Sequence, residues 1–232
     1  MTKGAPIRWV ENRILRQHLA GRGLEIGALW RRFPVPRSVK VWYVDRLQGE
    51  ELQQHYAAVQ EGMVVPDVVA DAAALPVAAG SLDFLIASHV LEHMPYPLRV
   101  LRAWYDALTP GGTLLLRIPD KRYTFDVRRP RTPLARLVEE YEAPPRFDRR
   151  AHFAEWVELV CNVPSEEPAH HTQATQLMAM DFSIHYNVWT SEDVRELIEF
   201  TRRDWRLDWQ PAVFWPAHFY RKETIVLLRR GV

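Results

Sequence analysis

The hydrophobic positions of the chain fall into short apolar runs and longer stretches with helical spacing. Several of the short runs are apolar throughout, which is typical of parallel strands that helices cover on both faces. These runs predict strands over residues 23–27, 40–46, 68–70 and 82–87, another that begins at Thr113, and two more over 207–215 and 223–228. Apolar residues three and four positions apart predict helices over residues 7–20, 96–108, 134–142, 149–161, 171–180 and 191–200. The predicted buried face of the first helix consists of Ile7, Val10, Ile14, Leu15 and Leu19.

The order of these elements predicts an α/β fold. We expect a Rossmann-like, seven-stranded, mostly parallel sheet with helices on both faces. After Asp120 the alternation of strand and helix stops for about seventy residues, which is too long for an ordinary connection. Helical segments separated by Pro144–Pro145 and by residues 164–168 fill this stretch. We therefore expect one domain over residues 1–232, in which residues 121–189 form a helical insertion that acts as a lid.

Polar or acidic residues stand where these predicted strands end. In a parallel sheet all the carboxyl ends lie at one edge, and ligands bind in the crevice there, where the strand order reverses. The pattern predicts a nucleoside-binding site at that edge. The residues concerned are Glu25 and Gly27, Asp45, Asp71, the pair Ser88 and His89, and Asp120.

Composition narrows the class of protein further. The net charge is only +1, which argues against a general binder of nucleic acid or of a membrane surface. Cys161 is the only cysteine, so an intrachain disulfide or a cysteine-based metal cluster is excluded. No apolar run approaches the length of a membrane span, and the first residues carry no apolar signal segment. We expect a soluble, cytoplasmic protein that is a monomer or a homodimer.

Over residues 23–120 the chain resembles the class I S-adenosylmethionine-dependent methyltransferases, in particular their small-molecule, type 11-like branch. The resemblance rests on the strand-end residues above, on Leu75-Pro76, on the run from Ser88 to His93, and on the turn Leu108-Thr109-Pro110-Gly111-Gly112. It implies S-adenosylmethionine as the cofactor. The resemblance also implies a role for each strand-end residue. Glu25 and Gly27 are expected to face the methionine and ribose, and Asp45 with Arg46 to bind the ribose hydroxyls. Asp71 and Ala72 are expected to contact the adenine, and Ser88 and His89 to lie near the reacting centre.

The sequence departs from the family at the loop after the first strand. The family usually has further glycines there, but Ala28-Leu29-Trp30 follow Gly27, so only the first close backbone approach is free of a side chain. The segments Leu24 to Gly27, Tyr43 to Arg46 and Ile118 to Asp126 also resemble a bacterial subgroup associated with glycan or specialised-metabolite genes. That resemblance implies a class of acceptor without identifying one.

Methyl transfer requires above all that a nucleophile be held about 3 Å from the methyl carbon. A hydroxyl acceptor also benefits from a base, and the candidate catalytic residues are His89, His185 and Asp120. The arginines between Arg117 and Arg136 suit an anionic acceptor, but the favoured alternative is a solvated loop that pairs with Glu139, Glu140 and Glu142. The subgroup resemblance implies that the acceptor is glycosylated. We therefore predict methylation of a small-molecule hydroxyl, on a sugar or a sugar-bearing metabolite.

Three alternatives remain open at this point. One is an N-methyltransferase acting on an amine, an amino sugar or a peptide, and another is a non-catalytic regulator that binds the cofactor. The third follows from His89-Val90-Leu91-Glu92-His93, which fits the H-x-x-E-H pattern of a class of zinc proteases. The run lies at a strand end and no third ligand is recognisable in the sequence, so we predict no metal site.

Overall fold

A computed structural model of the protein describes residues 5–56, 62–142 and 147–232. It contains a sheet of seven strands in the order β3-β2-β1-β4-β5-β7-β6. The first five strands are parallel, and β7 runs antiparallel to both of its neighbours. The strands are β1 (Arg22–Ile26), β2 (Lys40–Asp45), β3 (Val68–Val69), β4 (Leu82–Ser88), β5 (Leu108–Pro119), β6 (Trp209–Trp215) and β7 (Glu223–Arg230).

Helices cover both faces of this sheet, so the predicted fold class is confirmed. One face packs in a large apolar cluster around Trp104, Trp189 and Trp209, and the other packs in a smaller cluster around Phe33 and Phe84. The helices are α1 (Ala5–Leu15), α2 (Gly49–His55), α3 (Pro97–Ala107), α4 (Leu134–Glu142), α5 (Arg149–Leu159), α6 (Pro168–Ala179) and α7 (Ser191–Arg203). No helix in the described part of the chain has the length and apolar character that a membrane crossing requires.

The first helix buries only part of the face that its apolar spacing predicted, namely Leu15, together with Leu19 just after the helix. Val10 and Ile14 are exposed, whereas Glu11 is buried beside Leu15, and the side chain of Ile7 lies outside the described residues. The reason is electrostatic: Glu11 accepts a hydrogen bond from Arg221 at 2.6 Å, in the loop before β7. The polar side of α1 therefore faces the sheet edge.

The fifth strand begins earlier than predicted. Leu108 already pairs with Leu82 of β4, and the next pair is Thr113 with Phe84. The predicted turn Thr109–Gly112 is therefore an irregularity inside β5 and does not precede the strand. Gly112 is needed there, because a Cβ on it would lie 2.8 Å from the carbonyl oxygen of Thr109.

The insertion after β5 contains α4, α5 and α6, together with short 3-10 turns over Lys121–Tyr123 and Phe125–Arg128. The predicted separator Pro144–Pro145 lies outside the described residues. Around Ile184 and Phe153 the insertion has a small apolar core of its own. Its last segment is tied to the main sheet, because the backbone N–H groups of Tyr186 and Asn187 both donate to the carbonyl oxygen of Glu92, at 2.8 and 3.0 Å.

Candidate active site

The sheet edge at the carboxyl ends of β1 and β4 carries the candidate active site. These two neighbouring strands start connections that lead to opposite sides of the sheet, so the switch point lies between them. The backbone ladder continues past the strand ends: Gly27 donates to Val44 at 2.9 Å, and Ala70 donates to Asp45 at 2.9 Å. The residues after β1, β2 and β3 are thereby held in one row.

A cavity of about 660 Å³ opens at this switch point. That volume falls within the range of small-molecule sites, roughly 300 to 1,000 Å³. Of the predicted site residues, Glu25, Gly27, Ser88 and His89 line it. Side chains from α1, from the loop after β1 and from β5 complete the wall: Arg8, Asn12, Trp30, Arg31, Arg32, Phe33 and Arg117.

The loop after β1 is closed by Glu25. Its carboxylate is 1% exposed and accepts the backbone N–H of Phe33 with both oxygens, at 2.8 and 3.0 Å. Burial raises the pKa of Glu25 to about 7, against the opposing effect of that hydrogen bond. Gly27 lies at the start of the loop with φ +64, a backbone conformation that favours glycine. Sequence reasoning did not identify Phe33, whose backbone is the partner of Glu25.

At the end of β2, Asp45 is half-buried. One of its carboxylate oxygens accepts the backbone N–H of Arg46 at 2.8 Å, and burial raises its pKa. The Arg46 guanidinium is directed elsewhere: it forms an ion pair with Asp181 of the insertion, which also binds Arg149. Neither Asp45 nor Arg46 is among the residues that line the cavity described above, so their cofactor contacts stay predictions.

The turn after β3 holds the two predicted adenine-binding residues. Asp71 is exposed, and its carboxylate accepts the backbone N–H of Ala73 at 2.7 Å. Ala72 is buried, and its carbonyl oxygen accepts the indole N–H of Trp104 in α3 at 2.8 Å. The turn is thus fixed to the core next to the row of strand ends, and contact with adenine stays a prediction.

His89 follows β4 with φ +55 and contacts two carboxylates. Its Nε2 lies 2.7 Å from Glu223 and its Nδ1 lies 3.4 Å from Glu92. Partial burial lowers the pKa of His89, but the hydrogen bond to Glu223 and the Glu92 charge outweigh it and raise the pKa to about 10. The two carboxylates therefore favour the protonated form of the His89 ring.

Glu223, at the start of β7, joins His89 to a buried arginine. The Arg117 side chain is 1% exposed and donates to Glu223 at 2.7 Å, and it also donates to Asn12 of α1. Burial raises the pKa of Glu223, but His89 and Arg117 together lower it to about 2. Sequence reasoning missed Glu223 and Asn12 as site residues, because neither stands in a motif or at the carboxyl end of a parallel strand.

His185 is close to this region but does not line the cavity. Its side chain is 9% exposed, its Nδ1 lies 2.7 Å from Asp126, and its Nε2 faces Glu92 at 3.9 Å. Phe125 and Trp156 pack around the ring. The prediction that the insertion brings His185 next to the strand ends agrees with the structure. The ring faces Glu92, however, so in this arrangement it is not in a position to take a proton from an acceptor in the cavity.

Asp120 lies at the end of β5 as predicted, but the catalytic role proposed for it is contradicted by its surroundings. Its carboxylate is completely buried and accepts hydrogen bonds from Arg122, at 2.7 to 3.0 Å, and from the N–H and hydroxyl of Ser191, at 2.8 and 2.9 Å. Burial raises its pKa, but these hydrogen bonds hold it below the usual value. Asp120 therefore connects β5 to the start of α7 and is unavailable to a substrate.

The H-x-x-E-H pattern also has a different geometry from the one it suggested. His89 and His93 do not share a helical face, because the chain turns at His89 and residues Leu91–His93 form a single 3-10 turn. His93 instead packs against His185 of the insertion, with ring centroids 4.7 Å apart. The sequence could not show this contact, because the two histidines are 92 positions apart.

The strand order, the antiparallel β7 and a cavity at the β1/β4 switch point form a Rossmann-like arrangement with a ligand-sized site at the expected sheet edge. Residues 20–116 match the family model described as a methyltransferase domain. This match supports the predicted enzyme class and its cofactor, S-adenosylmethionine, for the matched segment.

Two relatives share part of this sequence. An uncharacterised protein of Methanocaldococcus jannaschii, MJ1123, is 26% identical over 147 residues, which cover 63% of this chain and 64% of that protein. Trans-aconitate 2-methyltransferase of Streptomyces avermitilis is 31% identical over 98 residues, which cover 42% of this chain and 30% of that protein. The chain thus spans less than two thirds of the length of either relative.

Solved structures show the same fold. A Rhodobacter sphaeroides structure, whose description names Zn-dependent alcohol dehydrogenases, superposes with a TM-score of 0.59 at 18% identity, covering 96% of this chain and 90% of the other. A chain from the complex of the Haloferax volcanii Trm112 methyltransferase activator with a methyltransferase gives a TM-score of 0.51 at 13% identity, covering 99% and 96%. At these identities the likeness concerns the fold alone.

Proposed function

We propose that the protein transfers a methyl group from S-adenosylmethionine to an oxygen atom of an anionic small molecule. The observation that carries this proposal is the charge of the cavity wall: Arg8, Arg31, Arg32 and Arg117 line it, together with Glu25 as the one acidic side chain among the lining residues in the described part of the chain. Arginine presents planar donors that suit a carboxylate or a phosphate. A cationic amine acceptor would meet repulsion there, which ranks oxygen above nitrogen.

The residues around the cavity fit the cofactor. Gly27 leaves the wall without a side chain, where a Cβ would lie 3.0 Å from Val90. We assign Glu25, Gly27, Ser88 and His89 to the methionine and ribose side, Asp45 with Arg46 to the ribose hydroxyls, and Asp71 with Ala72 to the adenine. When bound, S-adenosylmethionine supplies an electrophilic methyl group on a positively charged sulfur.

The residues of the chain itself position the acceptor and select it by its charge. The arginines bind the anionic part of the acceptor and hold its oxygen in line with the methyl carbon, which is the main requirement of this displacement. His89, as an imidazolium, donates a hydrogen bond at the end of β4. We expect the insertion after β5 to cover the acceptor once it is bound, since none of the described insertion residues lines the cavity in this structure.

Two classes of acceptor oxygen follow from this wall. The first is a hydroxyl of a sugar or of a sugar-bearing acid, in keeping with the subgroup that the sequence resembles. The second is a carboxylate, which is already ionised at neutral pH and needs no base. Two observations favour the second class: Glu223 and Glu92 hold the His89 ring towards its protonated form, and neither His185 nor Asp120 is among the residues that line this cavity. The relative named trans-aconitate 2-methyltransferase acts, by its name, on such an acid.

A labelling experiment tests the proposal. The purified protein is incubated with methyl-labelled S-adenosylmethionine and three acceptor panels, which are sugar acids, small di- and tricarboxylic acids, and amines. We expect label in one of the acid panels, in a methyl ether for a hydroxyl acceptor or in an alkali-labile ester for a carboxylate. Label in the amine panel alone would contradict oxygen transfer.

Calorimetry with S-adenosylhomocysteine separates the remaining outcomes. Binding of this product without turnover on any panel would favour the non-catalytic regulator. If the intact protein bound neither S-adenosylmethionine nor S-adenosylhomocysteine, the proposed methyl transfer would be wrong.

A further inference from the structure

Glu92, His93 and His185 form a cluster that the proposed methyl transfer does not use. Each offers one potential ligand atom, and these three atoms lie within 4.8 Å of one another. Glu92 and His93 come from the 3-10 turn after β4, and His185 comes from the last segment of the insertion. The cluster thus joins the main sheet to the insertion.

The Glu92 side chain is the unusual member of the group. It is completely buried, and neither of its oxygens has a hydrogen-bond partner in the described part of the protein. Its nearest cationic contact is Nδ1 of His89 at 3.4 Å, with Nε2 of His185 at 3.9 Å. Burying a carboxylate in this way is costly unless it is paired or coordinates a metal. A further positive partner would therefore lower the cost of burying this carboxylate.

Both histidines are oriented as metal ligands usually are. Nδ1 of His185 lies 2.7 Å from Asp126, and Nδ1 of His93 lies 2.8 Å from the carbonyl oxygen of Ile184. A carbonyl oxygen only accepts, so Nδ1 of His93 carries the hydrogen, and an ionised Asp126 assigns Nδ1 of His185 the same way. When neutral, each ring then has its lone pair on Nε2. Metal-bound histidines characteristically donate their other N–H to a carboxylate or a carbonyl group.

The orientation of Asp126 is itself fixed. Arg129 is buried and donates to Asp126 at 2.9 Å, to the carbonyl oxygen of His185 at 2.8 Å and to Glu155 at 2.8 Å. The ion pair holds Asp126 ionised, and Asp126 in turn holds the His185 ring. A carboxylate, a histidine and a metal in this order form a recurrent arrangement.

We propose that Glu92, His93 and His185 bind a first-row divalent transition metal, with Zn²⁺ as the reference ion. Two imidazoles and one carboxylate are a ligand set that Zn²⁺ takes in proteins. Metal–nitrogen distances of about 2.1 Å place tetrahedral ligand atoms about 3.4 Å apart, so each ligand atom moves inward by less than about 1 Å. This proposal departs from the sequence-based prediction that the chain has no metal site. His185 is the third ligand that the H-x-x-E-H pattern did not provide, and His89 of that pattern is not one of the proposed ligands.

Such an ion would have a positioning role. None of its three ligands lines the cavity, but Glu92 contacts His89, which does. The metal would fix the last segment of the insertion onto the turn after β4 and would draw the Glu92 charge away from His89. The inference does not depend on methyl transfer, because metal binding is measured without cofactor or acceptor.

The test is titration of the chelator-treated protein with Zn²⁺ by calorimetry, together with the visible absorption of the Co²⁺ form. We expect one Zn²⁺ per chain and a rise in melting temperature. Glu92→Gln and His185→Gln should each weaken binding at least 100-fold, and Asp126→Asn should weaken it about 10- to 100-fold, as expected for a residue that orients a ligand. His171→Gln, a change of an exposed histidine in α6, is the matched control and should bind as the original protein does.

Two results would overturn the proposal. One is that the intact protein binds neither Zn²⁺ nor Co²⁺, in which case Glu92 is neutralised by His89 alone. The other is Zn²⁺ binding by both Glu92→Gln and His185→Gln with the affinity of the original protein, which would place the ion elsewhere. If Glu92→Gln fails to fold, Zn²⁺ binding by His185→Gln and by Asp126→Asn still tests the proposed site. Circular dichroism checks that each of these variants is folded.

Discussion

Replacing Glu223 by glutamine removes the negative charge that Arg117 and His89 share and keeps nearly the same side-chain volume. In the folded protein Arg117 is 1% exposed and Glu223 is 11% exposed, so solvent cannot compensate for the lost charge. Removing one partner from a buried ion pair leaves the other charged and desolvated, which typically costs 3–5 kcal/mol. Glu223→Gln is therefore expected to destabilise the protein strongly, although the residue lies far along the chain from the strand-end motifs.

The magnitude follows independently from the titration of Glu223. Its pKa falls from an ordinary 4.5 to about 2, chiefly through His89 and Arg117 acting against burial. At about 1.36 kcal/mol per pKa unit, the ionised carboxylate contributes about 3 kcal/mol to the free energy of unfolding. The folded pKa is the lower one, so this contribution is present above pH 4.5 and is lost as the pH falls through about 2.

Urea unfolding at pH 7 measures this loss directly. We expect Glu223→Gln to lower the free energy of unfolding by about 3 kcal/mol, and the difference should shrink as the pH falls below 4.5. The matched control is Glu199→Gln, which breaks a pair with Arg202 whose side chains are 44% and 36% exposed and should cost under about 1 kcal/mol.

A nitrogen NMR titration provides a second readout. The His89 ring should stay protonated at pH 8 in the original protein and titrate at lower pH in Glu223→Gln. A Glu223→Gln protein as stable as the Glu199→Gln control, with the His89 titration unchanged, would refute the reasoning.

Three further predictions concern the site residues. Asp45→Ala should weaken S-adenosylhomocysteine binding at least 10-fold by calorimetry, because a hydrogen bond to a charged group contributes about 1.5–3 kcal/mol; Asp204→Ala is the exposed control, and equal affinities would remove Asp45 from the site. Gly27→Ala should cost about 1–2 kcal/mol in urea unfolding because its φ is positive, whereas Gly49→Ala in α2 should cost nothing; an equal cost would show that backbone strain is not the cause. Asp120→Asn should lower stability and leave S-adenosylhomocysteine affinity unchanged, and a selective loss of affinity would restore Asp120 to the site.

The sheet and the residues at the centre of the cavity could be predicted from the sequence, because both depend on local patterns. An apolar run predicts a buried parallel strand wherever it occurs, and the residue that follows it must lie at the shared carboxyl edge. This reasoning placed Glu25, Gly27, Ser88 and His89, and all four line the cavity. It also placed Asp120 correctly at the end of β5.

The roles of these residues were less predictable, since they depend on partners distant in sequence. Asp120 is buried because Ser191, 71 positions later, donates to it twice. His89 is protonated because β7 pairs antiparallel with β5 and brings Glu223 opposite Pro119. No local pattern reports the register of that pairing.

The first helix is a case in which a local pattern gave a partly wrong prediction. Its apolar spacing predicted a buried face containing Val10 and Ile14, but the structure exposes both. The helix is oriented by Glu11 and Asn12, which bind Arg221 and Arg117. Spacing rules assume that a helix packs by its apolar side, and they fail where buried ion pairs determine the orientation.

Glu223 comes after the residues of the cavity wall in the chain, so it is synthesised after them. A nascent chain that has emerged through β5 already contains Glu25, Gly27, Ser88 and His89, yet its Arg117 has no carboxylate from β7 to neutralise it. The cavity wall can reach its final charge only after synthesis has passed Glu223. Cofactor capture should therefore follow the synthesis of β7, and chains that terminate before β7 should be open to proteolysis.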